Sequence, residues 1–116
     1  MVKVKRIYEP VEAADGFRIL VDRLWPRGIK KETAQIDWWL KEIAPSTALR
    51  KWFHHDPEKW PEFQKAYKKE LMQSDKLQDL IDTVKKYKKA TLLYAASDKQ
   101  HNHALILEKY INKKLS

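Results

Sequence analysis

Two apolar runs, Phe17 to Val21 and Ala90 to Ala96, each stop abruptly at a polar cluster, and this pairing constrains the fold more than any other feature of the chain. The first run gives way to Asp22-Arg23-Leu24-Trp25-Pro26-Arg27-Gly28, the second to Ser97-Asp98-Lys99-Gln100-His101-Asn102-His103. Short runs with few polar interruptions read as strands buried on both faces. A helical layer separates them in sequence, which implies a crossover connection and parallel pairing. Parallel strands bring both clusters to the carboxyl edge of one sheet, where open α/β folds bind ligands.

The rest of the chain supplies the layer. Val2, Val4 and Ile7, interleaved with lysine and arginine, predict a half-exposed first strand ending near Tyr8, and Asp15-Gly16 marks a turn. Thr33 is a cap for a helix carrying Ile36, Trp39, Leu40 and Ile43 on one face. Ser46 is a good N-cap for a short helix with Leu49, Trp52 and Phe53, and Asp56-Pro57 opens a helix with Trp60, Phe63, Tyr67 and Leu71. Leu77, Leu80, Ile81 and Val84 give the cleanest amphipathic stripe, closed by Lys85-Lys86-Tyr87-Lys88-Lys89. Ser97 or Asp98 caps a last helix starting around Lys99 to His101. The predicted fold is a single compact α/β domain over residues 1–116, with a small, mainly parallel three-stranded sheet flanked by helices and a long helical insertion before the last strand.

Composition narrows the chemistry. With only two glycines, a glycine-rich phosphate loop is excluded. With no cysteine, disulfides, thiolate metal sites and cysteine nucleophiles fall away. Neither a signal peptide nor an apolar stretch of about 20 residues is present, so a soluble cytoplasmic protein is expected. The net charge of +8 favours anionic partners, although most lysines are accounted for by solvated helix faces.

The arginines are another matter. Arg23 and Arg27 follow a strand end, offer planar forks for phosphate or carboxylate, and flank Trp25, which can stack on an organic moiety. Structural alternatives exist: Asp22 can pair with one arginine while Trp25 fills the core. At the second junction Asp98 can hold His101 as a proton-transfer group, the amides that open the last helix can meet an anion, and Asn102 can hydrogen-bond a ligand. His101 and His103, two apart on a helix, diverge by roughly 200° and would not share a metal ion. No metal and no cofactor are expected. In the middle segment Arg50 and His55 are candidates for lining the same cleft.

Three motifs in order, Asp22 to Gly28, then Ala44-Pro45-Ser46 through Leu49-Arg50-Lys51-Trp52-Phe53 and His55-Asp56-Pro57, then Leu93-Tyr94-Ala95-Ala96 with Asp98 and His101 to Ala104, make the chain resemble the YeaO-like branch of the domain-of-unknown-function 488 family. The likeness runs from about Val4 to Tyr110. It implies a compact α/β domain in which the three clusters form one site, and it brings no substrate with it.

The resulting functional expectation is a hydrolase-like enzyme, or a former enzyme, acting on a small anionic or nucleotide-like substrate. In it Asp22, Asp98 and His101 handle protons, and Arg23, Trp25, Arg27, Arg50, His55 and Asn102 hold the substrate. Two alternatives compete: a nucleic-acid-binding module, suggested by the basic surplus, and a non-catalytic ligand sensor using the same cleft.

Overall fold

A computed structural model describes residues 1–116. In chain order it contains β1 (Val2–Arg6), β2 (Phe17–Leu20), α1 (Lys31–Ala34), β3 (Trp38–Trp39), α2 (Thr47–Phe53), α3 (Trp60–Met72), α4 (Lys76–Lys86), β4 (Ala90–Tyr94) and α5 (His103–Leu115). Single 3-10 turns lie at Ala13–Asp15, Lys41–Ile43 and Pro57–Lys59. The strands form one fully parallel sheet in the order β1-β4-β2-β3. The last long strand therefore slots between the first two. The carboxyl ends of β1, β2 and β4 lie side by side.

The sheet has four strands, where the sequence predicted three. The additional one is Trp38–Trp39, paired with Ile19–Leu20, and it replaces the helix predicted through Ile36, Trp39, Leu40 and Ile43. Helix α1 stops at Gln35, whose φ of 50° is left-handed. The chain then runs beside β2: the Asp37 amide donates to the Arg18 carbonyl at 2.9 Å, and the Leu40 amide to the Leu20 carbonyl at 2.9 Å. The Asp37 carboxylate accepts the Arg18 amide at 2.8 Å. The apolar residues that mimic a helical stripe are divided between the two faces of the sheet. Leu40 and Ile43 join the main core, while Ile36 and Trp39 pack against Ile7, Leu20 and Leu93 on the opposite face.

The main core covers one face. Ile19 and Leu92 from the strands meet Phe63, Tyr67 and Leu71 of α3, Leu77, Leu80, Ile81 and Val84 of α4, and Ala104, Leu107 and Ile111 of α5. The α4 stripe is buried as its spacing predicts. The other face carries no long helix. It is covered by loops, including the β1–β2 crossover, residues 7–16. A loop laid over a sheet brings backbone polar groups with it, and these require partners. Lys5 supplies them. Its ammonium, 9% exposed, donates to the Pro10 carbonyl and to the carboxylates of Glu12 and Asp15. The first strand is thus exposed at Lys3 and partly so at Val4 and Arg6, as its charge pattern suggested, but buried at Lys5. Asp15, 1% exposed, also takes the Arg18 guanidinium and the Glu12 amide. Arg18 in turn donates to the Ala34 and Gln35 carbonyls. Burial opposes ionisation of Asp15, but the Glu12 amide, Lys5 and Arg18 outweigh it and hold the carboxyl below its ordinary value.

Candidate functional site

A cleft of about 830 Å³ opens at the carboxyl ends of β1, β2 and β4. Three segments wall it: the loop after β2, the region from Ala44 through α2 to His55, and the stretch from Ala95 to His103. The sequence-derived residues Asp22, Arg23, Trp25 and Arg27 line it, and so do Arg50, His55, His101 and Asn102. The two strand-end clusters therefore open on one hollow, joined by the third motif. Asp98 does not line the cleft; it stands behind His101.

The side chains differ in how far they are free. Arg23 donates to the Ala44 carbonyl at 3.1 Å and, at a longer 3.4 Å, to that of Pro45, and so holds the opposite wall in place. Trp25 donates to the Ile29 carbonyl at 2.7 Å and meets Trp39 edge to face at 5.3 Å. It is a packing residue with one side on the cleft. Arg27 is exposed, and only its carbonyl is engaged, accepting from the Tyr8 hydroxyl at 2.9 Å. His54 and His55 both hold left-handed backbone, φ 45° and 54°. Histidine tolerates this conformation better than most residues. The turn they form lets the Asp56 amide reach the Phe53 carbonyl at 2.9 Å and places His55 on the rim.

The second junction is built differently from its prediction. The last helix begins at His103, with Asn102 as its N-cap, not at Lys99 to His101 behind Ser97 or Asp98. Asp98 closes a separate turn, accepting the Gln100 amide at 2.8 Å and the His101 amide at 3.1 Å. Those amides are therefore already satisfied and do not form an anion-binding helix start. Asp98 does hold His101 Nδ1, at 2.9 Å, and the Gln100 amide and His101 ring keep its carboxyl below the usual value. Asn102, 3% exposed, is fully engaged: its amide oxygen accepts from Leu105 and its amide nitrogen donates to the Asp98 carbonyl.

Asp22 pairs not with an arginine, as its sequence neighbours suggest, but with His103. Asp22 Oδ2 accepts the Ala95 amide at 2.9 Å, and Oδ1 lies 3.4 Å from His103 Nε2. That nitrogen lies 2.8 Å from the Val21 carbonyl. Burial raises the Asp22 carboxyl above its ordinary value, against the pull of His103, the Ala95 amide and Arg50. Burial lowers the His103 imidazole, with Arg50 acting in the same direction and Asp22 and Val21 against it. The result is a neutral histidine beside a partly desolvated carboxyl. A signal for this pair existed in the sequence. Asp22 ends one strand and His103 follows another, so adjacency of those two strands brings them together.

Arg50 leaves much of its hydrogen-bonding capacity unused. Its Nη2 donates to the Thr47 hydroxyl at 3.3 Å, but its Nε is fully buried and has no partner in the protein. Beside it the cleft carries Arg23, Arg27 and Lys51 against Asp22 as its single carboxylate, giving four cationic side chains to one anionic one. Phe53 and Phe63 supply an apolar wall, and Trp60 meets the His101 ring edge-on at 5.4 Å. Nowhere in the molecule do three His, Asp or Glu side chains group to hold a metal ion. No helix is long and apolar enough to cross a membrane.

Comparison with known proteins places this geometry among relatives. A family model described as the inactive DUF488-N3 subclade matches residues 1–116. The chain is 46% identical over 110 residues to the uncharacterised protein YeaO of Escherichia coli K12, covering 95% of this chain and 96% of that protein. It is 39% identical over 111 residues to the uncharacterised protein Rv3073c of Mycobacterium tuberculosis H37Rv, covering 96% and 93%. Mb3100c of Mycobacterium bovis is similar to the same extent. No solved structure matches the chain.

Proposed function

The chain belongs to the inactive DUF488-N3 subclade, and from that premise we propose that its cleft binds a small oxyanion, a phosphate or carboxylate compound, without turning it over. The observation that carries this reading is the Arg50 guanidinium on the cleft wall, whose only hydrogen bond is to Thr47 and which leaves Nε and Nη1 without a protein partner. A guanidinium with donor capacity to spare is suited to an oxyanion, since its planar fork takes a carboxylate or phosphate in bidentate fashion. The excess of cations around the cleft favours the same charge.

Two features favour binding over catalysis. The groups expected to move protons are largely committed: Asp22 to Ala95 and His103, and His101 to Asp98. The hydroxyls nearby are committed too, with the Ser46 hydroxyl donating to Glu70 at 2.6 Å and that of Thr47 accepting from Arg50. The Asp22–His103 pair favours a second reading, hydrolysis by a water activated at the imidazole. The nucleic-acid reading has weaker support. Its densest basic run, Lys85 to Lys89, leads into the amino end of β4, whereas the cleft is at the carboxyl end.

Calorimetric titration with methyl phosphate tests the proposal. The wild-type chain binds it, and Arg50→Met, which keeps the aliphatic stem, weakens binding by at least about tenfold. Neither protein hydrolyses p-nitrophenyl phosphate. Binding that is indifferent to Arg50 contradicts the proposal, and turnover abolished by His103→Gln establishes the second reading in its place.

A further inference from the structure

The ring of His103 has one nitrogen committed and one to spare. The Val21 carbonyl, 2.8 Å from Nε2, can only accept, so Nε2 carries the proton, and Asp22 Oδ1 lies at a longer 3.4 Å from the same nitrogen. A neutral imidazole has one donor and one acceptor. Nδ1 therefore bears the lone pair. It makes no hydrogen bond within the protein, and it retains accessible surface, because Arg50 Nε is the only fully buried polar side-chain atom without a partner. His103 lines the same cleft as Arg50.

A site that presents a cation alone is complementary to any oxyanion. This one presents a guanidinium donor and, on the same hollow, a neutral acceptor fixed in its tautomer by a backbone carbonyl. Resting on the reading of the cleft as an anion site, we infer that its ligand carries a hydroxyl or N–H donor beside the oxyanion, the oxyanion on Arg50 and the donor on Nδ1 of His103. Hydroxylated phosphates and carboxylates belong to this class; a bare phosphate ester does not. A polar site discriminates against an analogue lacking the matching group because its own acceptor is then left unpaired.

The acceptor exists only while His103 is neutral. The charged and titratable groups facing it are Asp22 at the end of β2, Arg50 on α2 and Tyr67 on α3, whose ring lies edge-on at 5.9 Å. Burial and Arg50 keep the imidazole unprotonated at neutral pH. Acidification fills the lone pair and turns Nδ1 into a donor, so a ligand group that can only donate loses its partner there, whereas a hydroxyl still offers its oxygen.

The test compares glycerol 1-phosphate with methyl phosphate in calorimetric titrations of the full chain. At neutral pH the wild type binds the glycerol ester about fivefold to tenfold more tightly. In His103→Gln, which keeps a donor for Val21 and places no acceptor at the Nδ1 position, the two esters bind equally. Equal binding of both esters by the wild type, with Arg50→Met still weakening both, overturns the inference and leaves the anion site standing. Failure of both esters to bind removes the anion site and the inference with it. Should His103→Gln fold poorly, the wild-type ratio at neutral pH decides alone: equal binding of the two esters overturns the inference.

Discussion

Two clusters in this molecule are built from similar residues and behave in opposite ways. Under the β1–β2 crossover, Lys5, Asp15 and Arg18 are buried and satisfied by one another and by the loop carbonyls of Pro10, Ala34 and Gln35. At the strand carboxyl ends, Asp22, Arg50 and His103 also gather, yet Arg50 Nε and His103 Nδ1 have no protein partner. Residue type does not distinguish a structural network from a binding site. Unused hydrogen-bonding capacity does. The first cluster fixes a loop to a sheet that has no helix on that side, and the second has donors and acceptors left for something else.

This contrast predicts opposite responses to mutation. The largest effect is expected at Asp15. Asp15→Asn leaves two buried cations without their shared carboxylate and lowers stability by about 3–5 kcal/mol in denaturant titration. Methyl phosphate affinity of the protein that remains folded is unchanged. Arg50→Met should do the reverse. Removing a buried donor without a partner leaves stability within about 0.5 kcal/mol of wild type or raises it, while anion affinity falls by at least about tenfold. A large stability loss in Arg50→Met would erase the distinction between the clusters.

The clusters also separate along the pH axis. The Asp15 carboxyl is held below its ordinary value of 3.8, so its contribution is complete above that value and disappears as pH falls through the lower, folded-state value. The His103 imidazole is held below 6.5, so its contribution is complete above 6.5 and erodes as pH falls below it, where the unfolded chain takes up a proton that the folded one resists. Asp22 acts with the opposite sign. Its raised carboxyl favours the folded state at and below 3.8, and that advantage is lost as pH rises through its folded-state value. Thermal melts should therefore show stability beginning to decline just below pH 6.5, and the decline should be absent in His103→Gln. A flat profile there would place His103 in an ordinary solvated setting.

How much of this was legible in the sequence follows from the same physics. The α4 stripe of Leu77, Leu80, Ile81 and Val84 could be read because its partners are all on one face. The segment from Ile36 to Ile43 misled because its residues serve two faces, and a strand as short as Trp38–Trp39 leaves no alternation to detect. The start of α5 was placed too early because Asp98 and Asn102 are both good caps, and only the fold decides which one opens the helix. Charges on β1 suggested exposure, and nothing local announces that Lys5 is buried under a loop. The cleft was legible in outline, since residues at strand carboxyl ends share an edge once the strands are parallel. The partnership of Asp22 with His103 depended on β4 lying next to β2, which is a topological fact and not a local pattern.

The smallest predicted effect belongs to Arg27. Its side chain is exposed, so Arg27→Ala should leave stability within about 0.5 kcal/mol and weaken methyl phosphate only modestly, with the difference vanishing at high salt. A loss as large as that of Arg50→Met would move the centre of the site outward to the rim.

The most direct test of the account is a crystal structure of the chain grown with methyl phosphate. It should place a phosphate oxygen within hydrogen-bonding distance of the Arg50 guanidinium, inside the cleft that also contains His103. Phosphate seated elsewhere, with the Arg50 guanidinium donating only to protein groups, would contradict it.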